Sequence, residues 1–585
     1  MLKECLESFK SELNEKGDKL ILDNYVPADG TYIIVTPKGD SFEIKKEVVN
    51  IKLDKKTRTV DKSSNYFSKL CTYDYNSKLV DMNKPMDGKK IIHSNNYLSF
   101  FIKKESFSNG KLTNEIIDGY YDTLLDPYIK YSKSKVNTHE VYKSLEAKIG
   151  EVDKVLVEKI KTWIKENIFE LGNKYTGKDY LKVFFEYGED DYIREGKRYF
   201  VPNIYNSNDF NIKIDGEIFG LPNDNMGMNS KKPYLENKTR KVKVPYLINS
   251  EEVMLQKKFF DYLLNEVTLG KVNIYLNEKG VTALKSGDMP ETDFEGVFIR
   301  IKKGKEVEIL SYDVVTSYKP NLPKKFNFKN ILGDELDDKS FELYGTCGNR
   351  KKMQEVLDKV FFSKYLINNY FTDAGDIPIN NDVLKNNLLI SRDGIFNWLY
   401  KGNKNGIDKL LSKVSLNLVK GSIERENFKK AKDQFNLRWS FESYFNGGID
   451  MAEIVYEMRN KLRDKINLDN NEKYESFDSD NEYYFAVGQL VNYLLSLSRA
   501  KSKPQSLLNP ILNAKNNKII KDKLRIIYLK YNYKLEQYSK RTSNLYGMIV
   551  SYEPEGKINQ DMILAGYLRS NLVYEKEVRG EKQNA

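Results

Sequence analysis

The stretch TYIIVTPKGDSFEI, residues 31–44, predicts how the chain begins to fold. Two arms rich in β-branched and aromatic residues flank the turn sequence Pro-Lys-Gly-Asp, and this arrangement is typical of a β-hairpin. The preceding MLKECLESFKSELNEKG, residues 1–17, has apolar residues at helical spacing. It therefore predicts a helix and not a signal peptide. We expect the first sixty or so residues to form a helix followed by strands.

Length and composition bound the class of protein. The chain has 585 residues, of which 40% are hydrophobic and 31% are charged. This balance is typical of a folded chain with several domains, because a single core stops growing at roughly 250–300 residues. The sequence has no apolar run of the ~18 residues that a membrane span needs. We therefore expect no membrane partner and a cytoplasmic location.

Cysteine and histidine are scarce. The three cysteines form no CxxC pair, so neither a disulfide framework nor a cysteine-based zinc site is expected. His93 and His139 are the two histidines, and neither is followed by Asp, which argues against an HD-type nuclease. The sequence thus predicts no metal and no cofactor.

The sequence pattern predicts an α+β fold in four regions. A mixed α/β body covers 1–175, an irregular β-rich region covers 176–350, a helical connector covers 351–446 and an all-α C-terminal bundle covers 447–585. Apolar residues spaced three and four apart between 139 and 171 predict one long amphipathic helix with its apolar side in the core. These residues are Leu145, Ile149, Val152, Leu156, Ile160 and Trp163.

Two further features support this division. Between 178 and 320, short β-rich runs such as YLKVFFEYG and RYFVPNIY alternate with Gly, Asn and Asp, which predicts strands. Two adjacent glycines at 447–448 interrupt helical sequence, and only helical patterns follow them.

Positive charge is concentrated towards the C-terminal end. The chain has a formal net charge of +11, and between 499 and 541 twelve lysines and arginines stand against two acidic residues. Lys518, Lys521 and Arg525 share one helical face by their spacing. Such a face is either a solvated helix surface or a groove that follows phosphates without reading sequence. The candidates for holding a single strand are Arg499, Lys501, Lys503, Lys515, Lys518, Lys521 and Arg525.

A second basic segment, GLPNDNMGMNSKKPYLENKTRK at 220–241, has neither helical nor strand periodicity. Lysine and arginine can hold a phosphate backbone, Asn and Ser can bond base edges, and Met or Tyr can wedge into a base step. Alternatively, Met and Tyr pin the loop to the body while Asn supplies turn conformations. The candidates for reading duplex DNA are Asn223, Asn225, Met226, Asn229, Ser230, Lys231, Lys232, Tyr234, Arg240 and Lys241.

Two shorter stretches add candidates. HSNNYLSFFIKKES at 93–106 could extend the same nucleic-acid surface, although its aromatic residues favour packing. GEDDYIREGKR at 188–198 contains three consecutive acids that could hold Mg²⁺ for a nuclease, or could form a solvated turn. The residues of the first stretch are His93, Asn95, Asn96, Lys103 and Lys104, and those of the second are Glu189, Asp190 and Asp191.

Several long segments resemble a known family, the large subunit of type I-B CRISPR Cascade complexes. They include LILDNYVPADGTYIIV at 20–35, LVDMNKPMDGKKIIHSNNYLSFFIK at 79–103 and YFAVGQLVNYLLSLSRAKSKPQSLLNPILN at 484–513. The stretch YFVPNIYNSNDFNIKIDGEIFGLPNDNMGMNSKKPYLENKTRKVKVPYL at 199–247 belongs to the same set, and the similarity continues to GYLRSNLVYEKE at 566–577. It therefore covers almost the whole chain. Some relatives carry a cysteine-rich insertion that this chain lacks, so no zinc is expected.

The resemblance implies a non-catalytic subunit that acts on DNA. Such a protein reads a short flanking motif, the PAM, in duplex DNA, promotes unwinding, holds the displaced strand and helps recruit a helicase-nuclease in trans. The division of labour is that protein reads the flank while base pairing reads the target. The implied partners are a guide crRNA, target DNA, and the backbone and small subunits of Cascade. A sequence-blind single-strand-binding scaffold and a metal-dependent nuclease remain the alternatives.

The glycine pair at 447–448 supports one further hypothesis. Its codons have the form GGN-GGN, which can spell a ribosome-binding sequence, and Met451 follows two codons later. In the family the C-terminal bundle resembles the small subunit. The gene is therefore predicted to make a separate polypeptide of residues 451–585, whereas the alternative is an ordinary hinge with a chance methionine.

Overall fold

The structure, a computed structural model, describes most of the chain. Helices account for 54% and strands for 18% of it, so the predicted α+β class is confirmed. No helix in the described part is long and apolar enough to cross a membrane. At residues 136 and 137 only the backbone is described. The described residues are 2–80, 82–131, 136–205, 211–222, 247–304, 307–335, 343–447, 451–468, 476–501, 505–534 and 540–575.

The chain divides into two compact units. The first comprises Met1–Ser286 and Gly296–Val314, and the second comprises Gly287–Glu295 and Val315–Ala585. The predicted boundary after residue 175 falls inside the first unit, and the boundaries after 350 and 446 fall inside the second. One hydrophobic core extends across position 175 and another across position 446.

The first unit contains both helices and strands. Its described helices are α1 (Leu2–Lys16), α2 (Lys19–Leu22), α3 (Phe67–Ser77), α4 (Glu105–Ser108), α5 (Asn114–Leu125), α6 (Tyr128–Tyr131), α7 (Val136–Ile149), α8 (Lys154–Lys174), α9 (Glu189–Asn203) and α10 (Ser250–Thr268). The strands are β1 (Gly30–Lys38), β2 (Ser41–Ile51), β3 (Ser99–Lys103), β4 (Tyr180–Phe185), β5 (Ile212–Ile214), β6 (Glu217–Phe219), β7 (Lys271–Asn277), β8 (Gly280–Lys285), β9 (Phe294–Lys303) and β10 (Val307–Tyr318). The first two residues of β9 and the last four of β10 belong to the second unit.

The predicted hairpin is confirmed and lies in the first sheet. Strands β1 and β2 pair antiparallel as far as Lys38↔Ser41, and Gly39 makes the turn with a φ of 59°. Strand β4 is parallel to β1 and antiparallel to β3, so the strand order is β2-β1-β4-β3. The first six residues of β1 are all buried, which requires apolar residues at successive positions and explains the run TYIIV. A second sheet has the order β10-β9-β7-β8.

The predicted long helix between 139 and 171 is wrong, because the segment forms two helices. α7 and α8 are separated at Gly150, which has a φ of 82°. The Asp153 carboxylate then caps α8 by accepting a hydrogen bond from the Leu156 amide at 3.0 Å. A left-handed glycine ends a helix and an aspartate begins the next one. The predicted core positions Leu145, Val152, Ile160 and Trp163 are buried.

The predicted β-rich region also contains two helices, α9 and α10. The stretch RYFVPNIY, predicted as a strand, mostly forms the end of α9. Buried positions 192, 195, 196 and 199 recur at helical spacing. Aromatic and β-branched residues suit a buried surface of either kind, so their enrichment alone gave the wrong prediction.

The second unit is mainly helical, as predicted for the part after residue 350. Its described strands are β11 (Asn321–Phe328) and β12 (Gly345–Asn349). Its described helices are α11 (Arg350–Val360), α12 (Asp382–Lys401), α13 (Ile407–Glu424), α14 (Phe428–Asn446), α15 (Met451–Asn467), α16 (Asp480–Ser496), α17 (Asn509–Leu512), α18 (Asn517–Tyr531), α19 (Lys540–Ser551) and α20 (Gln560–Leu568).

The C-terminal bundle shares its core with the helices before it. Val419 of α13 and Phe435 of α14 are buried in the same cluster as Leu490 of α16. The Arg438 guanidinium also donates two hydrogen bonds to the Asp561 carboxylate, at 2.7 and 3.0 Å. Residues before and after 447 therefore stabilise one another.

Two lysine–aspartate pairs are buried in the first unit. The Lys182 ammonium contacts Asp74, which also accepts a hydrogen bond from the Tyr25 hydroxyl at 2.6 Å. The Lys257 ammonium lies 2.6 Å from the Asp261 carboxylate. In each pair, the ammonium and the carboxylate balance each other's charge inside the core. This pairing matters because burial of an unpaired charge is costly.

The Asp261 pair predicts an acid-dependent loss of stability. Burial would raise the pKa of Asp261, but Lys257 and Lys78 outweigh it and lower the pKa to about 2. The unfolded carboxyl titrates near 3.9, so the contribution is fully present above about pH 4 and is lost as the pH falls through about 2. It amounts to roughly 2–3 kcal/mol. Between about pH 5 and pH 2, the free energy of unfolding should fall more steeply in the wild type than in Asp261→Asn; equal slopes would contradict this.

Candidate nucleic-acid interface

The basic surface of the bundle is built on helix α18. The Asn516 side chain accepts a hydrogen bond from the Ile519 amide at 3.0 Å and so begins the helix. The buried residues of α18 recur three and four positions apart, so they lie on one side of the helix in the bundle core. The opposite side therefore faces outward. The buried residues are Ile520, Leu524, Ile527 and Tyr531.

The outward side of α18 combines cationic and apolar side chains. Lys518 and Arg525 are exposed there, as the sequence predicts. Ile526 and Leu529 are also 57% and 58% exposed, opposite the core. Exposed apolar residues of this size between cations offer contact area to a ligand that is both anionic and partly apolar. Lys523 and Lys530 are further exposed cations on the helix.

The structure corrects the prediction that Lys521 is an exposed member of the cationic face. Its ammonium lies 2.5 Å from the Glu553 carboxylate and donates a hydrogen bond to the Val550 carbonyl oxygen at 2.9 Å. The side chain is only 17% exposed. Lys521 is therefore held by α19 and the segment after it, so it is a weaker candidate for phosphate contact than Lys518 or Arg525.

Aromatic residues that the sequence prediction missed extend the surface. Tyr533, directly after α18, is 59% exposed, and the Arg499 guanidinium lies 5.6 Å from its ring centroid. Tyr528 and Tyr546 stack with their ring centroids 4.2 Å apart. The signal in the sequence was the spacing of Tyr533 from Leu529 and Ile526, which continues the exposed side of the helix.

The remaining bundle candidates are placed as follows. Lys501 and Lys515 are exposed, whereas Lys503 lies outside the described residues. We call the described exposed cationic, apolar and aromatic residues around α18 the basic bundle face; the acid Asp522 is also exposed on this helix. Its members are Arg499, Lys501, Lys515, Lys518, Lys523, Arg525, Ile526, Leu529, Lys530 and Tyr533.

The ten candidates for reading duplex DNA, Asn223 to Lys241, all lie outside the described residues. The two ends of their segment are described. The Gly220 amide donates a hydrogen bond to the Ile248 carbonyl oxygen at 3.0 Å, and the Ile248 amide donates one to the Gly220 carbonyl oxygen at 3.1 Å. Ile248 is buried with Tyr205 in a small hydrophobic cluster. The two described ends of the segment therefore lie side by side in the first unit.

A groove of about 910 Å³ lies beside these ends. Lys148, Lys197 and Lys213 line it together with Glu140 and Glu217. Since both cations and carboxylates line it, the groove by itself shows no preference for an anion.

The prediction that residues 93–106 form a nucleic-acid surface is wrong for three of its five candidates. Asn95, Asn96 and Lys104 are buried. The Asn96 amide nitrogen donates to the Tyr192 carbonyl at 3.1 Å. The Lys104 ammonium lies 2.9 Å from the Asp179 carboxylate. These polar side chains bond to partners within the first unit, so their contribution is to the fold.

The other two candidates of this stretch are also engaged. His93 Nε2 lies 3.2 Å from the Lys90 carbonyl oxygen, and its Nδ1 lies 2.9 Å from the Tyr180 hydroxyl. Burial lowers the pKa of His93, which favours the neutral ring. Lys103 is partly exposed and lies 3.8 Å from Glu105.

The three consecutive acids form the first turn of α9. The Asp191 carboxylate accepts a hydrogen bond from the Gly188 amide at 3.1 Å and lies 3.0 Å from Arg194. Carboxylates are favoured at a helix N-terminus by the helix dipole. Successive helix positions point about 100° apart, so the arrangement of Glu189, Asp190 and Asp191 suits capping rather than joint chelation. Among the residues that the structure describes, no His, Cys, Asp and Glu side chains group as a metal site.

Comparison of the chain with protein-family models, with curated proteins and with solved structures finds no match. The functional assignment therefore depends on the residues themselves.

Proposed function

We propose that the protein is a non-catalytic large subunit of a type I-B Cascade complex, an RNA-guided antiviral assembly. Its partners would be a guide crRNA, target DNA, the backbone and small subunits, and a helicase-nuclease recruited in trans. The resemblance of several long segments supports this proposal. The structural observation that carries it is the basic bundle face, since cations beside exposed aromatic and apolar side chains are suited to a single strand.

The proposal assigns two tasks to two places in the chain. The 220–241 segment reads the PAM in duplex DNA and promotes unwinding, because it combines phosphate-binding cations with Asn and Ser side chains. The described residues at the two ends of this segment, Gly220 and Ile248, are bridged to each other. The basic bundle face holds the displaced strand through phosphates and stacking.

A sequence-blind single-strand-binding scaffold is the second candidate function. The same basic bundle face favours it, because lysine and arginine can hold phosphates without regard to base sequence. The two functions differ at the 220–241 segment. Asn225→Ala and Asn229→Ala should relax discrimination at one base position by roughly 1–3 kcal/mol for a PAM reader, and should leave it unchanged for a scaffold.

Nuclease activity is tested separately. Purified protein with Mg²⁺ or Mn²⁺ and labelled DNA should give no cleavage under the proposed function. Cleavage that is lost in Asp190→Ala would instead assign catalysis to the acids at the start of α9.

Neutralising the exposed cations of α18 should weaken single-strand binding. In Lys518→Gln/Arg525→Gln, each lost phosphate contact should make the slope of log K against log salt shallower by about 0.7. Affinity near 0.1 M salt should fall by about tenfold or more. The measurement is a salt titration with a fluorescent oligothymidylate.

Lys521→Gln is the matched control on the same helix. Because Glu553 already holds Lys521, its substitution should change the salt slope by less than either exposed cation does. A slope unchanged in the double variant, or a larger change in Lys521→Gln, would contradict a role for the basic bundle face.

Met451→Leu should abolish a separate product of residues 451–585 without unfolding the full chain. Met451 begins α15 and is buried, and leucine has a similar volume. Immunoblotting of a C-terminally tagged gene in its host measures the short product. Met458→Leu, on the same helix and also buried, should retain it. Persistence of the product in Met451→Leu would contradict internal initiation.

A further inference from the structure

Four arginines lie near Glu575 in the bundle, and two of them contact its carboxylate. Arg459 and Arg463, one turn apart on α15, contact the Glu575 carboxylate at 2.6 and 2.7 Å. Arg541 of α19 donates a hydrogen bond to the backbone carbonyl of Glu575. Arg569, at the end of α20, is the fourth. We call these residues the arginine cluster.

The arginine cluster has unused donors. The Arg459 side chain is only 9% exposed, and its Nε has no hydrogen-bond partner in the described part of the chain. The buried Nε of Arg569 likewise has none among the described residues. A buried guanidinium donor without an acceptor is costly, so both atoms are suited to an acceptor that a second ligand would bring.

Positive charge exceeds negative charge at this place. Burial lowers the pKa of Arg569, and the neighbouring guanidinium of Arg459 lowers it further. Asp334 acts in the opposite direction on Arg569, but it also lies 3.0 Å from the Lys432 ammonium. Glu575 is the described carboxylate that contacts the cluster through hydrogen bonds. Asp464 also acts on Arg463, and Asp334 acts on Arg569. Four guanidinium groups and Lys432 therefore stand against three carboxylates.

The backbone at Gly333 leaves room for the Arg569 guanidinium. Gly333 has a φ of 61°, and a Cβ there would lie 2.8 Å from Arg569 Nη1. Any side chain at Gly333 would therefore displace the guanidinium from its position. The Ser570 hydroxyl, which accepts a hydrogen bond from Arg459 Nη2 at 3.0 Å, adds a further polar group at the same edge.

We propose that the arginine cluster is a binding site for a phosphate group, and that Glu575 occupies it as an internal substitute which phosphate displaces. Guanidinium forks match phosphate oxygens in pairs of hydrogen bonds. A phosphate carries more charge and more acceptors than a carboxylate, so it can satisfy donors that Glu575 leaves unused. The phosphate could come from a nucleic-acid backbone, which rests on the proposed function, or from free inorganic phosphate.

Calorimetric titration of the full chain with inorganic phosphate, in chloride of matched ionic strength, tests the site. Glu575→Gln removes the competing charge and should tighten phosphate binding by about tenfold. Arg463→Gln should weaken it by about tenfold. Arg463 is chosen because it is partly exposed, and Arg463→Lys serves if the glutamine variant does not fold. Lys461→Gln, an exposed position on the same helix, should have no effect.

Each outcome decides the proposal. Absence of phosphate binding in the wild type and in Glu575→Gln, or affinity that ignores both Glu575 and Arg463, would overturn it and leave Glu575 as a structural ion pair. A response to both variants supports it.

Oligothymidylate then identifies the source of the phosphate. If the oligonucleotide competes with phosphate and follows the same variants, the ligand is a nucleic-acid backbone. If phosphate binding responds but oligonucleotide binding does not, the ligand is free phosphate. The Lys518→Gln/Arg525→Gln titration judges the proposed function independently, so the two failures are distinguishable.

Discussion

Replacing Asp74 with alanine is expected to lower the free energy of unfolding by about 3–5 kcal/mol. The Asp74 and Lys182 side chains are only 1% and 5% exposed, and the Lys182 ammonium lies 4.3 Å from the centroid of the Phe101 ring. Removing the carboxylate leaves a buried ammonium without its counter-charge. The Tyr25 hydroxyl loses its acceptor at the same time. Chemical denaturation of the purified chain measures the loss.

The size of this loss in unfolding free energy depends on the burial of the Asp74–Lys182 pair, and control variants test that dependence. Lys38 and Glu43 form an exposed pair at 2.7 Å on the β1–β2 hairpin, and Glu43→Gln should cost less than about 1 kcal/mol. The double variant Asp74→Leu/Lys182→Met removes both charges and should recover most of the loss. A loss below about 1 kcal/mol in Asp74→Ala would show that the pair does not stabilise the first sheet.

Gly566→Ala is expected to destabilise the C-terminal bundle by about 3 kcal/mol. Helices α16 and α20 touch backbone to backbone. A Cβ on Gly566 would lie 2.0 Å from the Phe485 carbonyl oxygen, and one on Gly488 would lie 2.1 Å from that of Ile563. Backbone atoms cannot move aside as a side chain can, so the two helices would have to separate.

The separation would expose apolar surface along both helices. It would also disturb the hydrogen bond that Gln489 Nε2 donates to the Gly566 carbonyl. Gly375→Ala is the control in the same unit, because a Cβ there meets nothing within 4 Å. Thermal unfolding followed by circular dichroism measures both variants. Equal stabilities would contradict the close helix contact.

Local features of the fold could be predicted from the sequence. The hairpin at Thr31–Ile44 followed from strand-forming arms and a glycine turn, and the inner face of α18 followed from apolar spacing. The break at Gly150 was also readable, since glycine followed by a capping aspartate separates helices. It was missed because the apolar spacing continued across it.

Contacts between distant segments could not be predicted. Charge spacing placed Lys521 with Lys518, but Glu553 holds it from 32 residues away. Asn95 and Lys104 were predicted to lie on the surface, but both are buried. Local sequence does not indicate that Lys104 pairs with Asp179. The arginine cluster joins residues from 459 to 575 for the same reason. The candidates at 223–241 stay predictions.

Native purification of the tagged full-length chain from its host tests the central claim most directly, with mass spectrometry of the partners and sequencing of bound RNA. The account predicts short RNAs of one repeat-derived type, Cascade backbone subunits and a polypeptide that begins at Met451. A lone protein that carries no RNA would contradict it.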